Sequence, residues 1–408
     1  MTDQTTGGAP RIRFKGFDTA WEPKKLGQIY TERNERGNDS LPILSVSIHS
    51  GISNGELSTE ALGKKVRRSE DKSLYKHVQS GDLVLNMMRA WQGALGVTNI
   101  EGMVSPAYIT AIPDHSVHPI FMDCSLRRPK IVAKMNSLSY GVTDFRKRLY
   151  WDSFILVECH IPSVPEQKKV AEYFSQLERT IFLYQSKHDK LIALRQAMLQ
   201  QLFPKPDATT PAVRFSGFFG DWEPKNVAEI SGKTYGGGTP NTSQPKFWEG
   251  EVPWIQSSDV LDRQLFKVIA RKRISSAALK QSPAKIVPKN SIAVVTRVGV
   301  GKLALLDFEY ATSQDFLSLS ELKLNPSFAA VAISLSLQNA LPKAQGTAIK
   351  GINKDELLAL PIMVPRSAVE QEKVGTYFRN LDALIAQHAT KLQLLQEIKL
   401  ACQDSVLL

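Results

Sequence analysis

The feature that most constrains this chain is an internal repeat. Arg13-Phe14-Lys15-Gly16-Phe17 recurs as Arg214-Phe215-Ser216-Gly217-Phe218, and Trp21-Glu22-Pro23 recurs as Trp222-Glu223-Pro224, both 201 residues further along. Such a period is too long for a solenoid and suits two domain-sized units. A length of 408 residues also exceeds what one ordinary hydrophobic core supports. We therefore expect two copies of one scaffold.

The repeat is strong at the end of each half and fades in between. Glu166-Gln167-x-Lys169-Val170-x-x-Tyr173-Phe174 recurs 204 residues later, beginning at Glu370. Between these anchors a trace survives at a spacing of 208 residues, matching Arg89, Gly93, Ser105 and Tyr108 with Arg297, Gly301, Ser313 and Phe316. The order is a variable domain, a shared segment, a second variable domain and a second shared segment.

The shared segments have the sequence features of long helices. Pro162 and Pro165 precede a stretch from 166 to 203 without proline or glycine, and Pro204 follows it, as expected at helix boundaries. The rise of an α-helix predicts a length of roughly 55 to 60 Å. Apolar residues recur in steps of four and three, which is typical of a helix-packing seam. The seam residues are Val170, Phe174, Leu177, Ile181 and Leu191, and Val374, Phe378, Leu381, Ile385, Leu392 and Leu395.

Two such stripes in one chain most simply bury each other, and an antiparallel pairing gives the isologous contact that equivalent halves allow. An ordinary pair of bundle helices is the alternative. The predicted fold class is α+β, with two mixed α/β domains joined by two long antiparallel coiled-coil helices in a pseudo-twofold internal repeat. The predicted segments are a disordered N-terminus (1–10), domain 1 (11–161), long helix 1 (162–204), a linker (205–211), domain 2 (212–365) and long helix 2 (366–408).

Candidate nucleic-acid contacts lie in the variable domains. In each, an apolar strand leads into an arginine followed four residues later by glycine, at Arg89 and at Arg297. An arginine there can bind guanine or a phosphate, and a salt bridge that holds the strand end fits the pattern equally well. Trp91 and Gln92 add a stacking surface and an amide suited to adenine. Ser105, Tyr108 and Ser313 complete the set carried by the repeat.

Several further candidates are weaker. Gly237, Gly238 and Thr239 can present backbone amides to a phosphate, with a plain flexible turn as the alternative. Basic residues can contact the DNA backbone, with a solvated surface as the alternative; they are Lys64, Lys65, Arg67, Arg68, the stretch Arg271-Lys272-Arg273, and Lys350. The Gly299-x-Gly301-Lys302 sequence lacks the spacing of a nucleotide-binding loop, so no nucleotide site is predicted there.

Composition narrows the class of protein. A formal charge of +11 favours a polyanionic partner. No apolar stretch approaches the roughly 20 residues needed to span a bilayer, and the polar start is unlike a signal peptide, so we expect a cytoplasmic protein without a membrane partner. Cys124, Cys159 and Cys402 are far apart and form no C-x-x-C pair, which argues against a disulfide framework and a zinc site.

The motifs also occur in a specific order. Met88-Arg89-x-x-x-Gly93 is followed by Val104-Ser105-Pro106-Ala107-Tyr108, and Gly237-Gly238-Thr239-Pro240 by Trp248-x-Gly250-x-Val252-Pro253-Trp254-Ile255, and each half closes with Glu-Gln-x-Lys-Val. In this order and duplication, the chain from residue 11 onward resembles the specificity (S) subunit of type I restriction-modification systems.

The resemblance implies two target recognition domains, each recognising one half of an asymmetric, bipartite DNA target, with the helices fixing the gap. It implies double-stranded DNA, two methyltransferase (M) subunits and two endonuclease/translocase (R) subunits as partners. S-adenosylmethionine, ATP and Mg would be bound by those partners, and no cofactor or metal by this chain.

Catalysis by this chain is not predicted, since no methyltransferase motif, Walker A motif or convincing nuclease cluster is visible. Two alternatives remain open, a coiled-coil scaffold that does not bind DNA and a self-contained nuclease. A DNA-recognition protein differs from a scaffold in that its DNA affinity falls steeply as salt rises.

Overall fold

The computed structural model describes residues 8–48, 51–53, 72–142, 147–340 and 351–408. The chain forms two compact units, the first made of 1–183 with 392–408 and the second of 184–391. The division falls inside both long helices, so each unit contains part of each helix. The predicted disordered segment 1–10 lies mostly outside the described residues.

The strands of the first unit are β1 (Glu22–Lys25), β2 (Tyr30–Glu32), β3 (Ser45–Ser47), β4 (Gly51–Ser53), β5 (Lys76–Val78), β6 (Leu83–Asn86), β7 (Leu95–Val97), β8 (Gly102–Val104), β9 (Tyr108–Pro113) and β10 (Glu158–Ile161). They form a four-stranded antiparallel sheet with strand order β2-β9-β6-β7 and three two-stranded sheets, β1-β10, β3-β4 and β5-β8. The helices of this unit are α1 (Pro119–Leu126), α2 (Pro129–Leu138), α3 (Trp151–Phe154), the first part of the long helix α4 (Val164–Gln201) and the end of the second long helix.

The strands of the second unit are β11 (Glu223–Asn226), β12 (Ser231–Gly236), β13 (Val252–Ile255), β14 (Lys272–Ile274), β15 (Ser291–Val295), β16 (Leu303–Leu306), β17 (Ala311–Thr312), β18 (Phe316–Leu322) and β19 (Pro361–Val364). They form a four-stranded antiparallel sheet of order β12-β18-β15-β16, a pair β11-β19 and a mixed sheet β14-β13-β17. The helices of this unit are α5 (Val227–Ile230), α6 (Ser276–Gln281), α7 (Pro326–Ala340), α8 (Lys354–Leu358), the second part of α4 and the larger part of the long helix α9 (Ala368–Val406).

The two four-stranded sheets are built on one plan, since β2, β9, β6 and β7 have the order of β12, β18, β15 and β16. The strands pair in the same antiparallel sense, and β6 and β15 are buried along their whole length. The helices α4 and α9 have 38 and 39 residues, which at 1.5 Å per residue gives about 57 Å. Two mixed α/β domains with two long helices are therefore confirmed.

Each long helix begins with a buried Glu-Gln pair that holds the surrounding segments. Arg13 donates two 2.7 Å hydrogen bonds to the Glu166 carboxylate, and Gln167 bonds the backbone of Ser116, His118 and Pro162. In the second unit Arg214 contacts Glu370 at 2.7 and 2.8 Å, and Gln371 bonds the backbone of Asn325 and Pro365. The repeated Arg-Phe-x-Gly-Phe motif and the repeated Glu-Gln motif therefore contact each other within each unit. We call this arginine–glutamate contact the clasp of the unit.

The ends of the long helices also pack in the same way in each unit. The Ile12 amide donates to the Ser405 carbonyl at 2.9 Å in the first unit, and the Val213 amide donates to the Gln201 carbonyl at 2.9 Å in the second. Because 12 corresponds to 213 and 201 to 405 in the repeat, these are equivalent bonds. The C-terminal end of each long helix is thus hydrogen-bonded to the first residues of the repeat that lies in the same unit.

Within each unit the two helix segments run antiparallel. In the first, Tyr173 contacts Cys402 and Glu178 contacts Lys399. In the second, the rings of Tyr184 and His388 lie 5.5 Å apart, and Arg195 pairs with Asp382. Tyr184 and His388 occupy equivalent positions in the repeat, as an isologous pairing requires. Among the described helices none is both long and apolar enough to cross a membrane.

Candidate nucleic-acid interface

The two repeat-related arginines lie on equivalent hairpins. Arg89 is in the connection from β6 to β7, and Arg297 is in the connection from β15 to β16. The buried strands fix each hairpin base, where the Asn86 amide donates to the Ala94 carbonyl at 3.0 Å and the Val295 amide to the Lys302 carbonyl at 2.8 Å. Both arginine side chains are exposed, so the sequence trace at a spacing of 208 residues marks a shared structural position.

Neither arginine is held by an acidic neighbour among the residues that the structure describes. Across the described ranges, the side chains of Arg89 and Arg297 make no hydrogen bond or ion pair. The strand-end salt bridge, which fitted the sequence equally well, is therefore not observed there. An exposed guanidinium with free donors can bind a carbonyl, a guanine edge or a phosphate.

The first hairpin presents an aromatic and an amide beside its arginine. Residues Ala90–Gln92 form a single 3-10 turn, and Gly93 closes it with a φ of 89° that favours glycine. Trp91 is fixed by a 2.9 Å hydrogen bond from its Nε1 to the Met88 carbonyl, and Lys147 Nζ lies 6.0 Å from its ring centroid. Gln92 is exposed. This surface is suited to stacking on a base and to hydrogen bonding with it.

Ser105 and Tyr108 are less accessible than the hairpin. The Ser105 hydroxyl accepts a 3.4 Å bond from the Ala107 amide, which is a turn contact. Burial raises the pKa of Tyr108, whereas a backbone hydrogen bond with Val46 and the charge of Arg89 lower it. Tyr108 therefore stays a neutral phenol close to Arg89.

The second unit presents a basic edge strand with two indoles. Lys272 Nζ lies 5.2 Å from the Trp248 ring centroid and 5.8 Å from that of Trp254. Arg271 donates to the Ser258 carbonyl at 2.6 Å and Arg273 to the Glu251 carbonyl at 2.7 Å. Backbone carbonyls orient both guanidiniums, and carboxylates of Asp259 and Glu251 lie 2.9 and 3.6 Å from them. Arg271, Lys272 and Arg273 are exposed, whereas Trp254 beneath them is buried.

The Gly237-Gly238-Thr239 segment is packed against its own unit. A Cβ on Gly237 would lie 1.8 Å from the Ser313 carbonyl oxygen, and a Cβ on Gly238 would lie 2.4 Å from the Pro283 carbonyl carbon. The Gly238 amide already donates to the Thr312 carbonyl at 2.8 Å, and Thr239 bonds Gln314. These glycines permit close backbone packing, and the Gly238 amide is not available to a phosphate. Ser313 is buried as well.

Some candidates lie outside the described residues, namely Lys64, Lys65, Arg67, Arg68 and Lys350. The stretch Arg271-Lys272-Arg273 was predicted from the sequence as a candidate backbone contact, whereas Trp248 and Lys147 were not predicted as contacts. The pairing of Lys147 with Trp91 joins residues 56 apart in sequence and had no local signal.

The predicted seam residues lie on inward-facing sides of the long helices. Buried positions near the helix starts also pack into the cores of the two units, with Val170 and Phe174 in the first and Val374 and Phe378 in the second. Leu381 and Leu395 are buried further along, and the half-buried ones are Leu177, Ile181, Leu191, Ile385 and Leu392. In the described parts of the chain no three His, Cys, Asp or Glu side chains are placed to hold a metal ion.

In comparisons with known proteins, both the sequence and the fold of this chain are similar to those of type I restriction specificity subunits. Residues 220–399 match the family model "Type I restriction modification DNA specificity domain". The Type I restriction enzyme MjaIX specificity subunit of Methanocaldococcus jannaschii is 26% identical over 192 residues, 44% of this chain and 42% of that protein. The EcoR124I/EcoR124II specificity subunit of Escherichia coli is 42% identical over 82 residues, 20% of either chain. The matched stretches thus span less than half of these relatives.

Two solved structures share the fold over nearly the whole chain. The S subunit of a type I restriction-modification system from M. genitalium has a TM-score of 0.64 at 11% identity, with 98% of this chain and 99% of that chain covered. A chain from a study of complex assembly and conformational transition of the type I R-M system has a TM-score of 0.52 at 17% identity, with 96% and 99% covered. At these identities the likeness concerns the fold.

Proposed function

We propose that this chain, whose residues 220–399 belong to the family of type I restriction modification DNA specificity domains, recognises DNA on behalf of a type I restriction-modification complex. Each unit recognises one half of an asymmetric, bipartite target, and the long helices set the gap of unrecognised base pairs. The observation that carries the proposal is this family match in the second half, combined with a first half built on the same sheet order.

The surface chemistry supports DNA as the ligand. The chain has a formal charge of +11, and exposed arginines without an acidic partner in the described ranges stand on equivalent hairpins of the two units. Beyond that shared position the hairpins differ, since the first carries Trp91 and Gln92 where the second carries Gly299 and Val300. Two unlike surfaces on one scaffold are suited to two unlike half-sites.

Partner subunits are part of the proposal. We propose that two methyltransferase subunits and two endonuclease/translocase subunits bind this chain, and that S-adenosylmethionine, ATP and Mg are bound by those partners. Within the first unit the long helices expose large apolar side chains, among them Phe182 and Leu400 at 70% and 63%. Phe182 also lines a cavity of about 790 Å³ between α4 and the domain. Apolar surface of this kind favours a protein partner.

We propose that the chain itself is non-catalytic. The long helices and the clasps serve to hold recognition surfaces, and chemistry on the DNA is left to the partners. Turnover of DNA by the purified full chain alone, with Mg present, would contradict this and favour the nuclease alternative.

Binding of duplex DNA at several salt concentrations tests the proposal. The full chain should bind duplex DNA with an affinity that falls steeply as salt rises, and a sequence-dependent component should remain. Arg89→Ala and Arg297→Ala should each weaken binding to the target. A chain with no affinity for duplex DNA at low salt would leave the scaffold alternative.

A further inference from the structure

A cavity of about 380 Å³ lies beside the β15–β16 hairpin in the second unit. Arg263, Arg297 and Lys302 are among its lining residues. Lys302 turns back over the hairpin, so that a Cβ placed on Gly299 would lie 3.9 Å from its Nζ. Arg263 belongs to a separate turn before β14. The fold therefore brings cations from two distant turns to one cavity.

Positive charge dominates this cavity. Asp262 is the carboxylate among its described lining residues, and it lies 3.6 Å from Arg263 with both side chains largely exposed. Arg297 and Lys302 have no carboxylate partner in the described ranges. One acid against three cations leaves a net charge of about +2 in the cavity, which favours an anion.

Neutral donors and backbone geometry complete the site. Helix α7 contributes Ser334 and Gln338 to the cavity. The Gln338 side-chain amide donates to the Ser334 hydroxyl oxygen at 3.4 Å. Because the hydroxyl accepts this bond, its own hydrogen is left to donate to a ligand. Arg263 has a φ of 59°, in the left-handed region that side chains other than glycine rarely adopt. Strained backbone of this kind concentrates at ligand-binding sites. Hydroxyl, amide and cation donors around one cavity suit a phosphate.

We propose that this cavity binds a backbone phosphate of the DNA target, so that Arg297 fixes the position of the duplex rather than selecting a base. The inference rests on the proposed function and deepens it. The Gly299-x-Gly301-Lys302 sequence that lacked nucleotide-loop spacing lies between two antiparallel strands, with no helix after it. Here side-chain cations, and not a helix N-terminus, bind the anion. The first-unit hairpin, with Trp91 and Gln92, is instead suited to base contact.

The test compares two double variants of the full chain. Arg263→Ala with Lys302→Ala removes two cavity cations and leaves Arg297 in place. Lys225→Ala with Lys323→Ala is the matched control, because it removes the same charge away from the hairpin. Lys225 lies in β11 of the separate β11-β19 pair, and Lys323 follows the end of β18, where its amide bonds the Ile230 carbonyl at 2.9 Å. Binding is measured over a salt series on two duplexes of equal length and different sequence, one of which contains the motif methylated in cells that carry this chain.

A backbone contact predicts that the cavity variant weakens binding to both duplexes by the same factor. The slope of log affinity against log salt should fall by about 1 for each lost phosphate contact, while the control keeps the slope of the unmodified chain. Loss confined to the target duplex would overturn the inference in favour of base recognition. An unchanged slope, or the same change in the control, would overturn it as well.

A free-anion site and a chain that does not bind DNA give different results in this test. If inorganic phosphate, titrated calorimetrically, binds the unmodified chain but not the cavity variant while their DNA affinities are equal, the cavity takes a free anion and the inference is wrong. If the unmodified chain binds neither duplex, the proposed function fails together with the inference. Binding by the unmodified chain with an unaffected cavity variant overturns the inference alone.

Discussion

Glu166 and Glu370 are the acidic residues that begin the long helices, and their side chains are only 2% and 1% exposed. A carboxylate without solvent must be paired, and Arg13 and Arg214 supply bidentate partners. The arginines come from segments more than 150 residues away in sequence. The buried glutamate of the Glu-Gln motif requires the arginine of the Arg-Phe-x-Gly-Phe motif as its partner, and this accounts for the presence of both motifs in both halves.

Removing either arginine should destabilise the unit that contains it. Arg13→Ala and Arg214→Ala each leave a buried carboxylate unpaired, and we expect a loss of about 3 kcal/mol in the free energy of unfolding. Lys169→Ala, which breaks an exposed pair with Glu172, should cost less than about 1 kcal/mol. Urea unfolding measures the losses, and amide exchange at the two helix starts assigns them to a unit. Equal losses in all three variants would contradict the clasp.

His77 gives the first unit a pH-dependent contribution to stability. Its Nδ1 lies 2.9 Å from Glu35 and its Nε2 2.9 Å from Glu101. The hydrogen bond with Glu35 contributes most to raising the pKa of His77, and Glu101 adds to it against the effect of burial. A raised pKa means that the folded chain holds this proton more tightly, so the stabilisation is complete below the ordinary value of 6.5 and is lost as pH rises through the raised value.

We therefore expect His77→Gln to remove part of the decline in unfolding free energy above the ordinary histidine pKa of about 6.5. His115→Gln, at an exposed histidine of the same unit, is the control and should retain the decline. Urea midpoints across a pH series provide the measurement. If the two variants have the same pH profile, His77 does not contribute in this way.

The sequence indicated that Arg89 and Arg297 stand at strand ends but not what surrounds them. Arg89 and Arg297 were detectable because the strand before each is apolar and the glycine after each is local. Gly237 and Gly238 were interpreted as a phosphate-binding or flexible turn because their tight neighbours, Ser313 and Pro283, are distant in sequence. Contacts between residues that are distant in sequence leave no signal in the local sequence pattern.

At the scale of elements, the long helices were the most predictable feature. The predicted segment 162–204 contains the observed helix Val164–Gln201, and Pro165 lies in its first turn, where a missing amide hydrogen has no cost. Strand order was not predictable, since the described strands of two to seven residues carry little periodicity. Their pairing depends on contacts across the unit. The common strand order of the two four-stranded sheets is evident only from the structure.

The pairing of the helices involves ion pairs at equivalent positions with unequal burial. Arg195 and Asp382 are 6% and 8% exposed, and burial raises the pKa of Asp382 although Arg195 opposes this. Their repeat equivalents, Lys399 and Glu178, are 2.8 Å apart and 31% and 55% exposed. A buried carboxylate depends on its partner far more than a hydrated one.

Arg195→Ala should therefore cost about 3 kcal/mol of unfolding free energy, and Lys399→Ala less than about 1 kcal/mol. Each variant is the positional control of the other, because both remove the cation from the same site of the repeat. Denaturant unfolding of the full chain compares them directly. Similar losses would mean that burial at these positions does not decide the strength of helix pairing.

At the scale of the whole molecule, the proposed function makes the helices a spacer between half-sites. Inserting one heptad after Leu183 and another after Lys391 should lengthen both helices by roughly 10 Å and keep the seam in phase. The gap between the half-sites should then grow by about three base pairs, with the half-sites unchanged. The same heptad inserted in the linker 205–211 should leave the gap unaltered. Selection of bound duplexes from a random pool measures the gap, and an unchanged gap in the lengthened chain would refute the spacer.

Methylome sequencing of cells that carry this chain with its methyltransferase partner tests the central claim most directly. The comparison strain carries the methyltransferase alone. We predict one new methylated motif made of two unlike half-sites separated by a gap of fixed length. A palindromic or continuous motif, or no new methylation, would contradict the account.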